Sequence, residues 1–322
     1  VRNPKGSKSY TTVVLGASRV YAASTPISNV FDSTALRNTF KTNMLVDEIR
    51  FFVYPHGNIT TGNISGYASR SFLDKFAVQF SSRNRIFSAA PVNINLLCTN
   101  FQTDLEQQVE ATNRAQYQED FQRWIPPEPI WLAEGDTLLA RVVETTSIAT
   151  DAVAGFDLWI VYVGRITDEK PPPSTRVPYI LQYIQPPGSP IGPSAPTQFV
   201  VPSLNLQNPL NRPLRLQRII ARLEIIAAAP TTDEKTMQGR DILRDVPDFC
   251  QIQVTDDQQF YITGDVNMGA LVDMQRSAWT FVRDIGPQGY LNVRFTRQAI
   301  TGYENMGLLP EICLICDREE EF

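Results

Sequence analysis

His56 is the chain's one histidine, and it sits in the turn cluster Pro55-His56-Gly57-Asn58. A Ser-His-Asp or Cys-His nucleophile system would have to use it, and no GxSxG elbow accompanies it. One imidazole is also too few for a histidine-rich metal centre. Cys313 and Cys316 form a CxxC, a spacing used for zinc and for redox chemistry. Here it lies in the apolar run Ile312-Cys313-Leu314-Ile315-Cys316. A strand puts positions three apart on opposite faces, and no second CxxC completes a zinc site. Cys98 and Cys250 stand singly in apolar surroundings, so four free buried thiols are expected. Two acids flanking a cleft would suffice for a glycosidase. Glu134 with Asp136, and Asp256 with Asp257, are the pairs to nominate, although both read first as turn acids. No glycine-rich phosphate loop is present. The residues point to no catalytic, cofactor-binding or metal site, hence to no enzyme and no cofactor.

Net charge is −5 over 322 residues. A protein that grips phosphates carries a basic surplus on its binding face, so no specific nucleic-acid binding is expected. Lys5, Lys8 and Arg19 make the first segment locally basic, as in a solvated tail, and Glu319-Glu320-Glu321 reads as a solvated terminus. No apolar run reaches the roughly 18 residues of a membrane span, and Val1-Arg2-Asn3-Pro4-Lys5 lacks the apolar core of a signal peptide. Without such a signal, the acceptor patterns at Asn58 and Asn63 carry little weight.

The elements around these residues repeat. Leu138, Ala140 and Val142 alternate at period two after the turn Glu134-Gly135-Asp136, and Phe156 to Val163 follows as a run apolar on both faces. Leu291, Val293 and Phe295 alternate after Gln288-Gly289-Tyr290, and Leu309 to Cys316 follows. Leu138 maps onto Leu291 and Phe156 onto Leu309 at one offset (291−138 and 309−156, both 153), with Arg165 and Arg318 closing both runs. A pattern repeated at fixed separation indicates an internal duplication. Met44–Tyr54 and Leu214–Ile226 are the opening strands of the two halves, aligned at Val46-Asp47-Glu48-Ile49 and Leu216-Gln217-Arg218-Ile219. Phe72–Phe80, Val92–Cys98, Phe249–Val254 and Gln259–Thr263 are further strands. Asp104–Trp124 and Met268–Arg283 carry helical spacing and end near Pro126-Pro127 and Gly286-Pro287. Twelve of the 23 prolines fall between Pro171 and Pro213, a density that disfavours central strands. The expected organisation is an N-terminal arm (1–40), a first sandwich (41–168), a proline-rich connector (169–212) and a second sandwich (213–322).

Regularly spaced strands with little helix indicate an all-β sandwich or barrel. With one helix late in each half, the order of elements resembles the double jelly-roll major capsid proteins of tailless icosahedral, membrane-containing bacteriophages of the tectivirus, corticovirus and finnlakevirus types. The resemblance covers roughly residues 40 to 320 and rests on element order and duplication, with no diagnostic short motif. It implies two tandem eight-stranded jelly rolls, each with one inserted helix, and a homotrimer whose six jelly rolls make a pseudo-hexagonal tile of a virus shell. It also implies a lattice of such trimers, minor capsid or vertex proteins as partners, and peripheral contact of the N-terminal arm with an internal membrane. The place implied is the virion, assembled in the host cytoplasm. The alternative is a viral spike or a carbohydrate- or receptor-binding β-sandwich, which would use Trp131, Trp159 and Tyr290.

Overall fold

Period-two burial governs the chain in a computed structural model. The structure describes residues 11–21, 28–30, 36–55, 76–83, 85–98, 121–144, 156–169, 174–186, 189, 191, 197–227, 250–256, 260–267, 283–297 and 306–321. The first half contributes β1 (Thr11–Tyr21), β2 (Ser28–Val30), β3 (Asn43–Pro55), β4 (Phe76–Ser82), β5 (Arg85–Ile86), β6 (Val92–Asn93), the short helix α1 (Ile94–Leu97), β7 (Phe121–Trp124), β8 (Ile130–Leu132), β9 (Leu138–Glu144) and β10 (Phe156–Thr167). The second contributes β11 (Ser174–Ile184), β12 (Thr197–Val200), a 3-10 turn (Ser203–Leu206), β13 (Leu214–Ala227), β14 (Cys250–Thr255), β15 (Phe260–Asn267), β16 (Arg283–Ile285), β17 (Asn292–Arg297) and β18 (Met306–Glu321).

Pairing is nested in each half. The first strand lies beside the last, the second beside the next to last, and so inward: β1 with β10, β2 with β9, β3 with β7 and β8, β4 with β5. The second half repeats this as β11 with β18, β12 with β17, β13 with β16 and β14 with β15. The sheet orders are β1-β10-β3-β7 and β2-β9-β4-β5, then β11-β18-β13-β16 and β12-β17-β14-β15. A long hairpin folded over on itself into two sheets is a jelly roll. The chain is therefore all-β, two jelly rolls in tandem. Its described residues divide into two compact units, one holding those up to Pro178 together with the end of β18 from Glu319, the other holding Tyr179 to Arg318.

Each half has its own core. In the first, Phe80 on β4 stacks on Trp124 at 5.6 Å between ring centroids and meets Phe51 and Tyr162 at 6.2 and 6.4 Å. The Tyr162 hydroxyl donates to the Leu138 carbonyl at 2.8 Å, tying β10 to β9 on the facing sheet. The second core gathers Leu216, Ile219, Ile252, Val293, Phe295, Ile312 and Leu314 from both of its sheets. Each such side chain contributes roughly 1.5–3 kcal/mol on burial.

Several sequence expectations are corrected. Phe121–Trp124, the end of one expected helix, is strand β7, paired with β3 at Ile49–Phe52. Arg283, the end of the other, opens β16 beside Leu216. In both, an open edge on the opening strand of the half outweighs a local helical spacing, as tertiary context does for short segments. The remainders, 104–120 and 268–282 with Trp279, lie outside the described residues, as does 72–75 of another expected strand. Val92–Cys98 breaks after two strand residues. The Asn93 side chain accepts from Leu96 N–H at 2.9 Å and caps α1, a local alternative to the ladder that asparagine favours.

The arm and the connector are also corrected where they are described. Thr11–Tyr21 pairs with β10 along its whole length. Ser174–Ile184 and Thr197–Val200 are the first strands of the second jelly roll. β11 carries Pro178 on the edge strand of its sheet, the place where strands admit proline.

Candidate functional site

Among the described residues, the nominated chemistry is dispersed into structural roles. Asp136 accepts from the Ala133 N–H at 3.0 Å and pairs with Arg83 at 2.8 Å, so its carboxylate closes a turn. Glu134 beside it is exposed. Asp256 pairs with Arg283 at 3.0 Å. Asp257 and His56 lie outside the described residues. All four cysteines are free and buried. Cys316 belongs to the second core, whereas Cys313 turns to the opposite face opposite Ile220, so the two thiols share no site. Burial pushes both thiols well above the ordinary range, and Cys316 is raised further by Cys313 and Asp317 beside it. No group of three or more His, Cys, Asp or Glu residues able to hold a metal occurs among the described residues, and no helix there is long and apolar enough to cross a membrane.

The aromatics nominated for ligand binding do not share one platform. Trp131 lies opposite Leu45 on β3 and Trp159 opposite Phe52. Those seven steps along a strand span roughly 23 Å. Tyr290 belongs to the second unit.

What the structure builds twice is a buried asparagine knot. Asn38 is fully buried before β3. Its amide donates to the carbonyls of Thr42, Leu132 and Ala133 at 2.9–3.0 Å, and its side-chain oxygen accepts from Phe40 N–H at 3.1 Å. Its backbone N–H donates to Asp136 and its carbonyl accepts from Gly135. Asn208, also fully buried, donates to Arg212, Ile285 and Gly286 at 2.8–3.0 Å and accepts from Leu210 N–H at 2.9 Å. Its backbone exchanges bonds with Gly289 and Gln288. The partners correspond one for one, at offsets of 170 before the third strand (208−38) and 153 after the turn (285−132).

Even the flanking contact recurs. Arg37 donates its Nε to the Gly135 carbonyl at 3.0 Å, and Gln207 donates its amide to the Gln288 carbonyl at 2.9 Å. Gly135 and Gln288 both hold positive φ, 77° and 60°. Sequence reasoning missed these residues, although Leu36-Arg37-Asn38-Thr39-Phe40 and Leu206-Gln207-Asn208-Pro209-Leu210 share a Leu-x-Asn-x-apolar signal.

The outward face of the first-half sheet is the other notable surface. Val163 lies opposite Val14, Val161 opposite Gly16, and Trp159 opposite Phe52. Val14 is 58% exposed and Trp159 38%. On the same face Glu48 lies opposite Val163 and Arg50 opposite Val161, with Arg123 beyond Arg50 on β7; Arg50 donates one bond of 2.7 Å to Glu48, and Arg165 donates two of 2.8 Å to Asp47.

Strand order and the twofold knot place the chain in the class of tandem jelly-roll proteins. No protein-family model matches it, and no curated protein matches it in sequence. Among solved structures it is similar to the major capsid protein P2 from bacteriophage PM2, at 10% identity and a TM-score of 0.41 over 97% of this chain and 98% of that one. It is similar to a chain of Sulfolobus turreted icosahedral virus at 11% identity and 0.43, covering 96% and 91%. For a chain of the Sputnik virophage the values are 10% and 0.31, covering 99% and 90%. These likenesses are distant, and the jelly-roll assignment rests on the strand order.

Proposed function

We propose that this chain is a structural shell protein, the major capsid protein of an icosahedral virus, and that three copies form a pseudo-hexagonal tile. The observation that carries this reading is the duplication itself: one strand order and one buried knot, built twice in a single chain. An enzyme or a lone receptor-binding module has no need of two equivalent sandwiches. A shell tile does, because three chains with two similar units each present six similar sides. Closed cyclic symmetry then satisfies every copy's interface with one kind of contact. Its place would be the virion, with minor capsid or vertex proteins as further partners.

Light scattering on the purified chain tests the reading: a mass three times 36.2 kDa is expected, with hexagonal plates or shells by negative-stain microscopy at high concentration. A protein that stays monomeric at high concentration and binds a glycan or a receptor would overturn it. The exposed Trp159 is the one observation that favours that second, binding-module reading.

A further inference from the structure

We propose that each half carries one carboxylate-binding row on a sheet face, Arg141 with Gln79 in the first and Arg294 with Gln253 in the second, and that the occupant is an acidic peptide segment of a partner protein. The proposal is independent of the shell reading above.

The two rows are the same three residues built twice. In the first half Arg141 on β9 lies opposite Val30 on β2 and opposite Gln79 on β4. In the second half Arg294 on β17 lies opposite Val200 on β12 and opposite Gln253 on β14. These strands hold equivalent places in their sheets, at offsets of 170 (200−30), 153 (294−141) and 174 (253−79). The neighbouring positions have diverged. Buried Ala140 and Val142 correspond to Val293 and Phe295, as cores exchange one apolar volume for another. Beside Arg141, Leu139 and Val143 correspond to Asn292 and Thr296. A polar row kept identical among changed neighbours, away from the core, points to recognition rather than packing.

Its chemistry selects a carboxylate. Arg141 is exposed and has no ion-pair partner among the described residues. Gln79 is held beside it by a 2.9 Å bond from its amide to the Ser88 carbonyl, and an amide has a second N–H to donate. The guanidinium fork matches the two oxygens of a carboxylate. Along β4, β9, β14 and β17, the positions that alternate with the core hold no Asp or Glu, and Arg141 and Arg294 are their only charges. One cation per face, set among amides, hydroxyls and small apolar groups, suits a single acidic side chain on a peptide. Val200, 57% exposed opposite Arg294, offers such a peptide an apolar contact. A nucleic acid would need several cations on each face.

The test titrates fluorescein-labelled hexaglutamate into the full chain, with hexaglutamine and oligothymidylate as comparison probes. The wild type should bind hexaglutamate at two sites per chain, about tenfold or more tighter than hexaglutamine. Arg141→Gln should leave one site, Arg294→Gln the other, and the double variant none, while Arg141→Lys keeps two. Should Arg294→Gln misfold, Arg141→Gln alone must still reduce two sites to one. Hexaglutamate bound no better than hexaglutamine, or two sites surviving in the double variant, overturns the proposal. Variants that melt lower yet keep both sites make the row a cross-strand contact and overturn it as well. Oligothymidylate bound about tenfold tighter than hexaglutamate overturns it in favour of phosphate. A wild type that binds no hexaglutamate, and whose oligomer falls to monomers in the double variant, overturns it in favour of a second copy. The shell reading is tested by the wild-type mass alone, which none of these outcomes changes.

Discussion

At the scale of single residues, the two asparagines hold the most concentrated polar commitments in the described chain. Removing the Asn38 amide leaves the Phe40 N–H and the carbonyls of Thr42, Leu132 and Ala133 short of a partner in a buried place. Unsatisfied buried groups cost about 1–3 kcal/mol each, so Asn38→Ala should lose about 2–4 kcal/mol in urea denaturation. Asn208→Ala should lose a similar amount, and a loss under about 1 kcal/mol in either would show that water replaces the knot. Gly164 is constrained differently. A Cβ there would overlap the carbonyl oxygen of Leu45 at the bulge, and Gly164→Ala should cost about 1–3 kcal/mol or more through overpacking; an unchanged melting temperature would contradict it.

The buried thiols give a pH signature. Folded Cys313 and Cys316 keep their protons where unfolded thiols, with pKa about 8.5, lose them. The folded state then binds more protons, so stability is full below about pH 8.5 and falls above it, by up to about 1.4 kcal/mol per pH unit for each thiol. A Cys313→Ala/Cys316→Ala variant should show a shallower decline between about pH 8.5 and 10, measured by denaturation across that range. An equally steep decline would place the effect elsewhere.

Elements show why part of the fold was legible in sequence and part was not. The alternation of β9 and β17 aligns as read, because Leu138, Ala140 and Val142 and their counterparts Leu291, Val293 and Phe295 are buried in equivalent places. The offset of 153 does not extend to the last strands. Gly164 corresponds to Cys316, so β10 and β18 are related by 152, and matching Arg165 to Arg318 put the two strands one residue out. A one-residue slip exchanges the faces of a strand, and runs apolar on both faces contain no signal to detect it. The edge strands were hidden for a related reason. Thr11–Tyr21 carries small and polar residues where it borders no further strand, and prolines crowd the start of the second half because an edge tolerates them. The asparagine knots join segments some 80 to 100 residues apart, and local period is silent about them.

If β1 is a strand of the first jelly roll rather than an arm, a chain starting at residue 23 should be damaged. It would expose the ladder edge of β10 along Phe156–Ile166 and uncover the site of Leu15, and bare edges aggregate. The truncated chain should melt at a lower temperature with loss of soluble material on heating; an unchanged melt would restore the arm.

For the whole molecule, the duplication makes a prediction about symmetry. Two units of one strand order but different sequence repeat at low resolution and differ in detail. Their cores are not interchangeable: Tyr162 bonds across the first sandwich where the second has Leu314 at the corresponding position. Three chains in a closed ring would therefore carry six similar densities related by only a true threefold axis. Cryo-electron microscopy of the purified oligomer should give class averages that look sixfold at low resolution. Refinement in C6 should then stall at the resolution where side chains begin to differ, while C3 continues to improve. An oligomer that refines equally well in C6, or one of even order with no threefold axis, would mean that the two halves do not serve as alternating sides of one tile.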